Sequence, residues 1–229
     1  MEQSELLTTD DGSHSLRSAR FGVNYHSTHG ALRESHHVFM QAGLSDWLNS
    51  PKAGSTVRIL ELGFGTGLNA LLARETARHH PDISFVYTTY ERYPISEDLV
   101  GQLNYPEVLG IGRDRFDEIH TAAWEVEVPL EPNFVLLKRR ADFLTDDRGA
   151  VHDDLIFYDA FAPENQPELW TVEAMRRCAR RLRPGGVLVT YCAKGQFKRN
   201  LRAAGFRVEA LPGPPGKREM TRAHLIDLA

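Results

Sequence analysis

Two stretches of this 229-residue chain place reactive side chains where folded proteins do chemistry. DLIFYDAFAPENQPELW, residues 154–170, begins as an apolar run and ends it with the carboxylate of Asp159, directly before a small turn containing proline. An aspartate there can cap the turn by accepting backbone N–H bonds. It can equally meet a ligand, because open parallel sheets bind ligands just beyond the carboxyl ends of their strands. The second stretch, VRILELGFGTGLNALLAR, sets Gly63, Gly65 and Gly67 between a strand-like run and a run with helical spacing of Leu68, Leu71, Leu72 and Ala73. Glycines at such a place allow positive φ and close approach of backbone to ligand, beside the unpaired N–H groups of a helix start. The pattern is GxGxG. A dinucleotide fingerprint, GxGxxG, would need glycine where Leu68 stands, which argues against a nicotinamide dinucleotide.

The elements that must hold these groups follow from periodicity. Short apolar runs at 57–62, 84–91, 134–142, 154–160 and 187–192 read as strands, with turn-rich or helical stretches between them. Residues 167–183 are expected to form a helix starting near Pro167, and RPGG (183–186) to break the chain before VLVTYC. GQFKRNLRAAG reads as another helix, and FRVEAL with TRAHLIDL as a terminal antiparallel pair. The alternation predicts an α/β fold, a mostly parallel doubly wound sheet. Residues 1–52 break the pattern and are expected to be an N-terminal cover, with a small hairpin around SHSLRSARFGVNYHS and a helix over ALRESHHVFMQAGLSDWL; residues 53–229 would be the main domain.

Composition removes several classes. The opening MEQSELLTTDDGSHS lacks the basic and apolar regions of a signal peptide, and no apolar run reaches membrane-spanning length, so a soluble, cytoplasmic protein is expected. Two cysteines, Cys178 and Cys192, are too few for a disulfide framework. His26, His29, His36 and His37 crowd one segment with Glu34, but no HExxH or Cys/His spacing accompanies them, and no metal is expected. The net charge of −4 hides a segregation: residues 1–173 carry 14 Lys and Arg against 28 Asp and Glu, whereas 174–229 carry 13 against 3. Solvated helix faces account for part of that, and a polyanionic partner would account for the rest.

Taken with their order, YHSTHGALRESHHVF, ELGFGTGLN, the acid after TTY, DAFAPENQPELW, LRAAGF and GKREM resemble the methyltransferase part of the MnmC family, the tRNA 5-methylaminomethyl-2-thiouridine-forming enzymes. The likeness covers nearly the whole chain. It implies a Rossmann-like class I methyltransferase fold with a C-terminal antiparallel strand and an N-terminal extension. It also implies S-adenosyl-L-methionine as methyl donor and, as acceptor, the amine of 5-aminomethyluridine at the wobble position of tRNA. Family members can carry a flavin-dependent domain that removes a carboxymethyl group. With the sequence ending at Ala229, a separate enzyme is expected to supply the aminomethyl substrate.

The resemblance assigns roles residue by residue. Glu61, Gly63, Phe64, Gly65, Gly67 and Asn69 would surround the methionine and ribose portions of the cofactor. Glu91 would accept from the ribose hydroxyls, Asp142 would meet the adenine amino group, and Tyr25, Ser27 and Glu34 would fold over the cofactor. Asp159 would stand beside the attacking nitrogen, where positive charge develops. In water it is a poor base for an alkylamine, because pKa values near 4 and 10 differ by roughly 6 units, about 8 kcal/mol. Phe161 and Tyr191 would border the acceptor, with Trp170 in the core. From their charge rather than from the resemblance, Lys194, Lys198, Arg199, Arg202, Lys217, Arg218 and Arg222 are the candidate phosphate contacts. Two other readings fit the same motifs: a methyltransferase of a small amine or another RNA, and a non-catalytic cofactor- or RNA-binding module.

Overall fold

Val57, Ile59, Leu60 and Leu62 are all buried, as is every residue of Asp153–Tyr158. Strands apolar on both faces belong in the middle of a sheet covered on both sides. The computed structural model, which describes residues 4–50, 55–148 and 152–226, places them there. Its eight-stranded sheet runs β5 (Glu127–Glu131), β6 (Phe134–Arg139), β4 (Ser84–Tyr90), β3 (Thr56–Leu62), β7 (Asp153–Tyr158), β8 (Leu182–Thr190), β10 (Glu219–Leu225), β9 (Phe206–Pro212). Strands β6, β4, β3, β7 and β8 are parallel; β10 enters antiparallel between β8 and β9, and β5 lies antiparallel on the far edge. The chain leaves β3 for β4 and β6 on one side and returns to β7 and β8 on the other. The order therefore reverses between β3 and β7, where such sheets open a ligand crevice.

The expected strands are all present, and three local readings change. β1 (Glu5–Thr8) and β2 (His14–Arg17) form an antiparallel pair ahead of the expected hairpin, which is present as a short fold-back with Arg17 bridging Asn24. The expected helix at 167–183 divides into a short 3₁₀ turn, Pro167–Trp170, and a helix, Val172–Arg181, started by the Thr171 side chain accepting from Ala174 N–H. RPGG does not precede β8 but lies within it: pairing jumps from Asp153 opposite Leu182 to Leu155 opposite Val187, and the intervening residues bulge. Edge strand β5 and the short helices Glu97–Gln102, Tyr105–Leu109 and Arg113–Thr121 fill stretches the sequence left as connections.

One face of the sheet carries the helix α2 (Leu68–Arg78) and a long N-terminal helix α1 (residues 31–48), whose middle, His36–Ser45, is widened to π geometry. Gly43 lets α1 lie close: a Cβ there would come 3.0 Å from Val189 and 3.1 Å from Phe157. Phe39 packs on Phe157, so the N-terminal segment shares the main core. The boundary expected between residues 52 and 53 falls outside the described residues. No helix among those described is long and apolar enough to cross a membrane.

Part of the segregated basic charge is consumed inside the fold. Arg181 pairs with buried Asp153 at 2.9 Å, and Arg183 with buried Asp154 at 2.5 Å, tying the end of the arginine-rich helix and the bulge to β7. On the other side, Arg74 of α2 is nearly fully buried and bonds Glu131, Glu118 and the carbonyls of Arg115 and Leu130. Removing one member of such a network leaves buried charge without a partner. Arg74→Ala is expected to lower unfolding free energy by about 3 kcal/mol or more, read from the urea midpoint.

Candidate active site

Beyond the carboxyl ends of β3, β4 and β7 the chain encloses a cleft of about 390 Å³. Its floor is the glycine loop. Gly63 has φ 90°, and a Cβ there would stand 2.7 Å from the carbonyl oxygen of Asp159. Only glycine lets the two strand ends run side by side, with Asp159 N–H bonded to the Leu62 carbonyl at 3.0 Å. Gly63, Phe64, Gly65 and Asn69 line the cleft; Gly67 starts α2 behind it, against His120. Glu61 lies beneath the loop, fully buried, and is not among the lining residues.

One end of the cleft is built around Glu91, the residue after β4. Its Oε1 accepts from Tyr93 N–H at 2.7 Å and its Oε2 from Gly65 N–H at 3.1 Å. These bonds fix the carboxylate while leaving each oxygen a free acceptor direction. Burial raises the Glu91 pKa, and the backbone donors oppose that rise. Asp142 lines the same end, where it accepts from Leu144 N–H and pairs with Arg92, both at 2.9 Å. Arg92 and Tyr93 also line it, as do Arg20 and Phe21 from the segment between β2 and α1. The sequence reading missed these four. Phe21 packs on Phe161 at 4.8 Å and on Tyr93 at 6.4 Å, and the Arg20 guanidinium stacks 3.8 Å above the Tyr93 ring.

The other end is built around Asp159. Its Oδ2 accepts from Asn69 Nδ2 at 2.9 Å. Desolvation and the nearby charge of Glu34 push the Asp159 carboxyl up to about 7, against the opposing pull of Asn69 and Lys217. Around it stand Phe161, Tyr191 and Lys217, all lining the cleft. Tyr191 donates its hydroxyl to the Ala160 carbonyl at 2.8 Å, and Lys217 Nζ sits 4.0 Å over the Tyr191 ring while bonding Glu34. Tyr25 faces Phe161 edge-on at 5.0 Å, and burial followed by the Glu91 charge pushes its hydroxyl up to about 12. Ser27 lines the cleft and gives its N–H to Glu34 at 2.8 Å. Trp170 is core, its indole N–H on the Phe161 carbonyl.

The remaining basic residues divide by partner. Lys194 pairs with Glu164, Lys198 with Glu219, and Arg222 with Glu209 and Asp46. Lys198 is mostly buried, and Lys194, Lys198, Arg202 and Arg218 lie outside the cleft lining. Among the described residues, no carboxylate pairs with Arg199, Arg202 or Arg218. Three histidines of the N-terminal segment have protein partners: His26 bonds Ser15 and is pushed down to about 4 by burial, His29 bonds Asp10, and His37 bonds the Pro212 carbonyl. No metal-holding group occurs among the described residues.

Known proteins with this arrangement point one way. A family described as S-adenosyl-L-methionine-dependent methyltransferase matches residues 143–226. The tRNA 5-methylaminomethyl-2-thiouridine biosynthesis bifunctional protein MnmC of Cupriavidus metallidurans is 31% identical over 97% of this chain and 34% of its own length. Its counterpart in Aromatoleum aromaticum is 31% identical over 100% of this chain and 36% of its own length. The chain thus spans about a third of the curated relatives it matches. The crystal structure of MnmC2 from Aquifex aeolicus superimposes with a TM-score of 0.81 at 25% identity, covering 98% of this chain and 71% of that one.

The Glu34–Lys217 pair joins the N-terminal helix to the loop between β9 and β10 across the acceptor end. Glu34 is 6% exposed, so Lys217→Met strands a buried carboxylate and is expected to destabilise by about 3 kcal/mol. Adding Glu34→Gln should restore most of that loss in a double-mutant cycle followed by urea unfolding.

Proposed function

We propose that this chain, similar over 97% of its length to the MnmC protein of Cupriavidus metallidurans, transfers a methyl group from S-adenosyl-L-methionine to the amine of 5-aminomethyl(-2-thio)uridine at the tRNA wobble position. The observation that carries the reading is Asp159, a carboxylate set at the switch point of the sheet with its pKa raised to about 7.

The cleft fits the cofactor on its own residues. Glu91 keeps acceptor directions for two ribose hydroxyls, Asp142 and its neighbours provide the base end, and the glycine loop with Asn69 leaves backbone close to the methionine portion. When bound, S-adenosyl-L-methionine supplies an electrophilic methyl carbon on a cationic sulfur. The acceptor amine must reach that carbon without its third proton. Asp159 is the group placed to take it, with Phe161 and Tyr191 walling the amine from water. At about 7 the carboxyl lies about 3 units below an alkylamine instead of 6, which reduces the uphill transfer to about 4 kcal/mol. Desolvation of the amine lowers the gap further. With that proton passed on from Asp159 before the methyl moves, the restored carboxylate stands beside the nitrogen and stabilises the charge it gains as the N–C bond forms and the methyl–sulfur bond breaks.

Arg199, Arg202 and Arg218 are the basic groups assigned to tRNA phosphates, since their charges have no carboxylate partner among the described residues. Asp159→Asn keeps size and hydrogen bonding but removes the charge. With tRNA bearing 5-aminomethyluridine, nucleoside mass spectrometry is expected to show methylation falling by roughly 10²-fold or more, while calorimetric binding of S-adenosylhomocysteine changes far less. Equal turnover of small amines and of that tRNA by the wild-type chain would return the acceptor to the small-amine reading.

A further inference from the structure

Five buried polar atoms with no hydrogen-bond partner lie in one place beneath the glycine loop: both carboxyl oxygens of Glu61, Oδ1 of Asn69, the Tyr87 hydroxyl and the Thr89 hydroxyl. Glu61, Tyr87 and Thr89 are 0% exposed and Asn69 3%. Glu61 and Thr89 are direct neighbours on β3 and β4, and Tyr87 is two residues before Thr89 on the same face. An orphaned buried carboxylate would be among the most unfavourable groups in the protein. The arrangement is explained if the carboxyl is neutral, because it then brings the one donor that Asn69 Oδ1 lacks.

We propose that Glu61 is a positioning residue: as a neutral acid it donates its O–H to Asn69 Oδ1, so that Asn69 Nδ2 must face Asp159 and hold that carboxylate toward the acceptor. The alternative state makes the logic clear. An ionised Glu61 is acceptor-only and would draw the Asn69 NH₂ group to itself, turning the amide oxygen toward the Asp159 carboxylate in a repulsive contact. The proton on Glu61 and the charge on Asp159 therefore go together. The Tyr87 and Thr89 hydroxyls can rotate to serve the second Glu61 oxygen. The electrostatics agree: burial first, opposed by the Thr89, Asn69 and Tyr87 contacts and reinforced by the charge of Asp159, pushes Glu61 up to about 8. Asp159 is the charged group facing it; Asn69 from α2 and Tyr87 and Thr89 from β4 complete its polar surroundings.

The role rests on the methyl transfer proposed above, so one readout is kept independent of it. A folded-state pKa raised from 4.5 to about 8 means that stability is lost as pH rises between those values. Glu61→Gln does not titrate. The stability of Glu61→Gln relative to wild type should therefore grow from pH 4.5 to about 8 and then level off. A pH-independent difference would overturn the proposal whatever the enzyme's substrate. In the activity assay, Glu61→Leu removes the donor and should lower kcat roughly tenfold or more with the KM for S-adenosyl-L-methionine little changed. Glu61→Gln supplies an N–H in place of the O–H and should recover most of that loss. The wild-type kcat should bend downward above about pH 8 as Glu61 ionises, and the Gln variant should show no such bend. A Gln variant as impaired as the Leu variant, or one whose S-adenosyl-L-methionine KM rises while kcat holds, would overturn the proposal and make Glu61 an ionised cofactor contact. A wild-type chain that methylates no aminomethyluridine would instead defeat the functional reading and leave the stability profile to judge Glu61.

Discussion

The structure depends on keeping the Asp159 carboxyl at the edge of the core with a single side-chain donor. Burial and the nearby Glu34 charge push it up, Asn69 and Lys217 pull it back, and the balance lies near neutrality. Each of these partners comes from a different part of the chain: Asn69 from the helix after the glycine loop, Glu34 from the N-terminal helix, Lys217 from the loop before the last strand. The pairing of β3 with β7 brings them together, with Leu62 opposite Tyr158 and Gly63 passing over the Asp159 carbonyl. A side chain on Gly63 would push apart the two strand ends that define the crevice.

The terminal segments are the walls of the site. Tyr25, Phe21 and Arg20 close it from the N-terminal side through contacts with Phe161 and Tyr93, and Lys217 closes it from the C-terminal side through Glu34 and the Tyr191 ring. Aromatic edges and one half-buried ion pair thus enclose the acceptor end in a low-dielectric setting. That setting raises the basicity of Asp159 and strengthens its attraction for a cation beside it.

The sheet was legible because its central strands are apolar on both faces, and the glycine loop and the acids after β4 and β7 stand at fixed places relative to those strands. The walls were less legible. Arg20, Phe21, Arg92 and Tyr93 lie in irregular segments, where no periodicity reports which way a side chain points. The basic C-terminal third was overread as free charge: Arg181, Arg183, Lys194, Lys198 and Arg222 have partners distant in sequence, which no local pattern reveals. Glu61 was read with the glycine loop as a cofactor contact. Its place one residue before the strand ends turns it under the loop, where strand alternation could have put it: Leu60 and Leu62 pack in one cluster, Ile59 in the other.

The measurement that tests this account most directly is a ¹³C NMR titration of the Asp159 carboxyl carbon in the wild-type chain, assigned by its absence in Asp159→Asn. The account predicts a midpoint near 7, moving upward in Asn69→Ala as the donor is removed. A midpoint at the ordinary aspartate value of 3.8, unmoved by that substitution, would contradict it, because Asp159 would then be a solvated turn cap with no basicity to offer an amine.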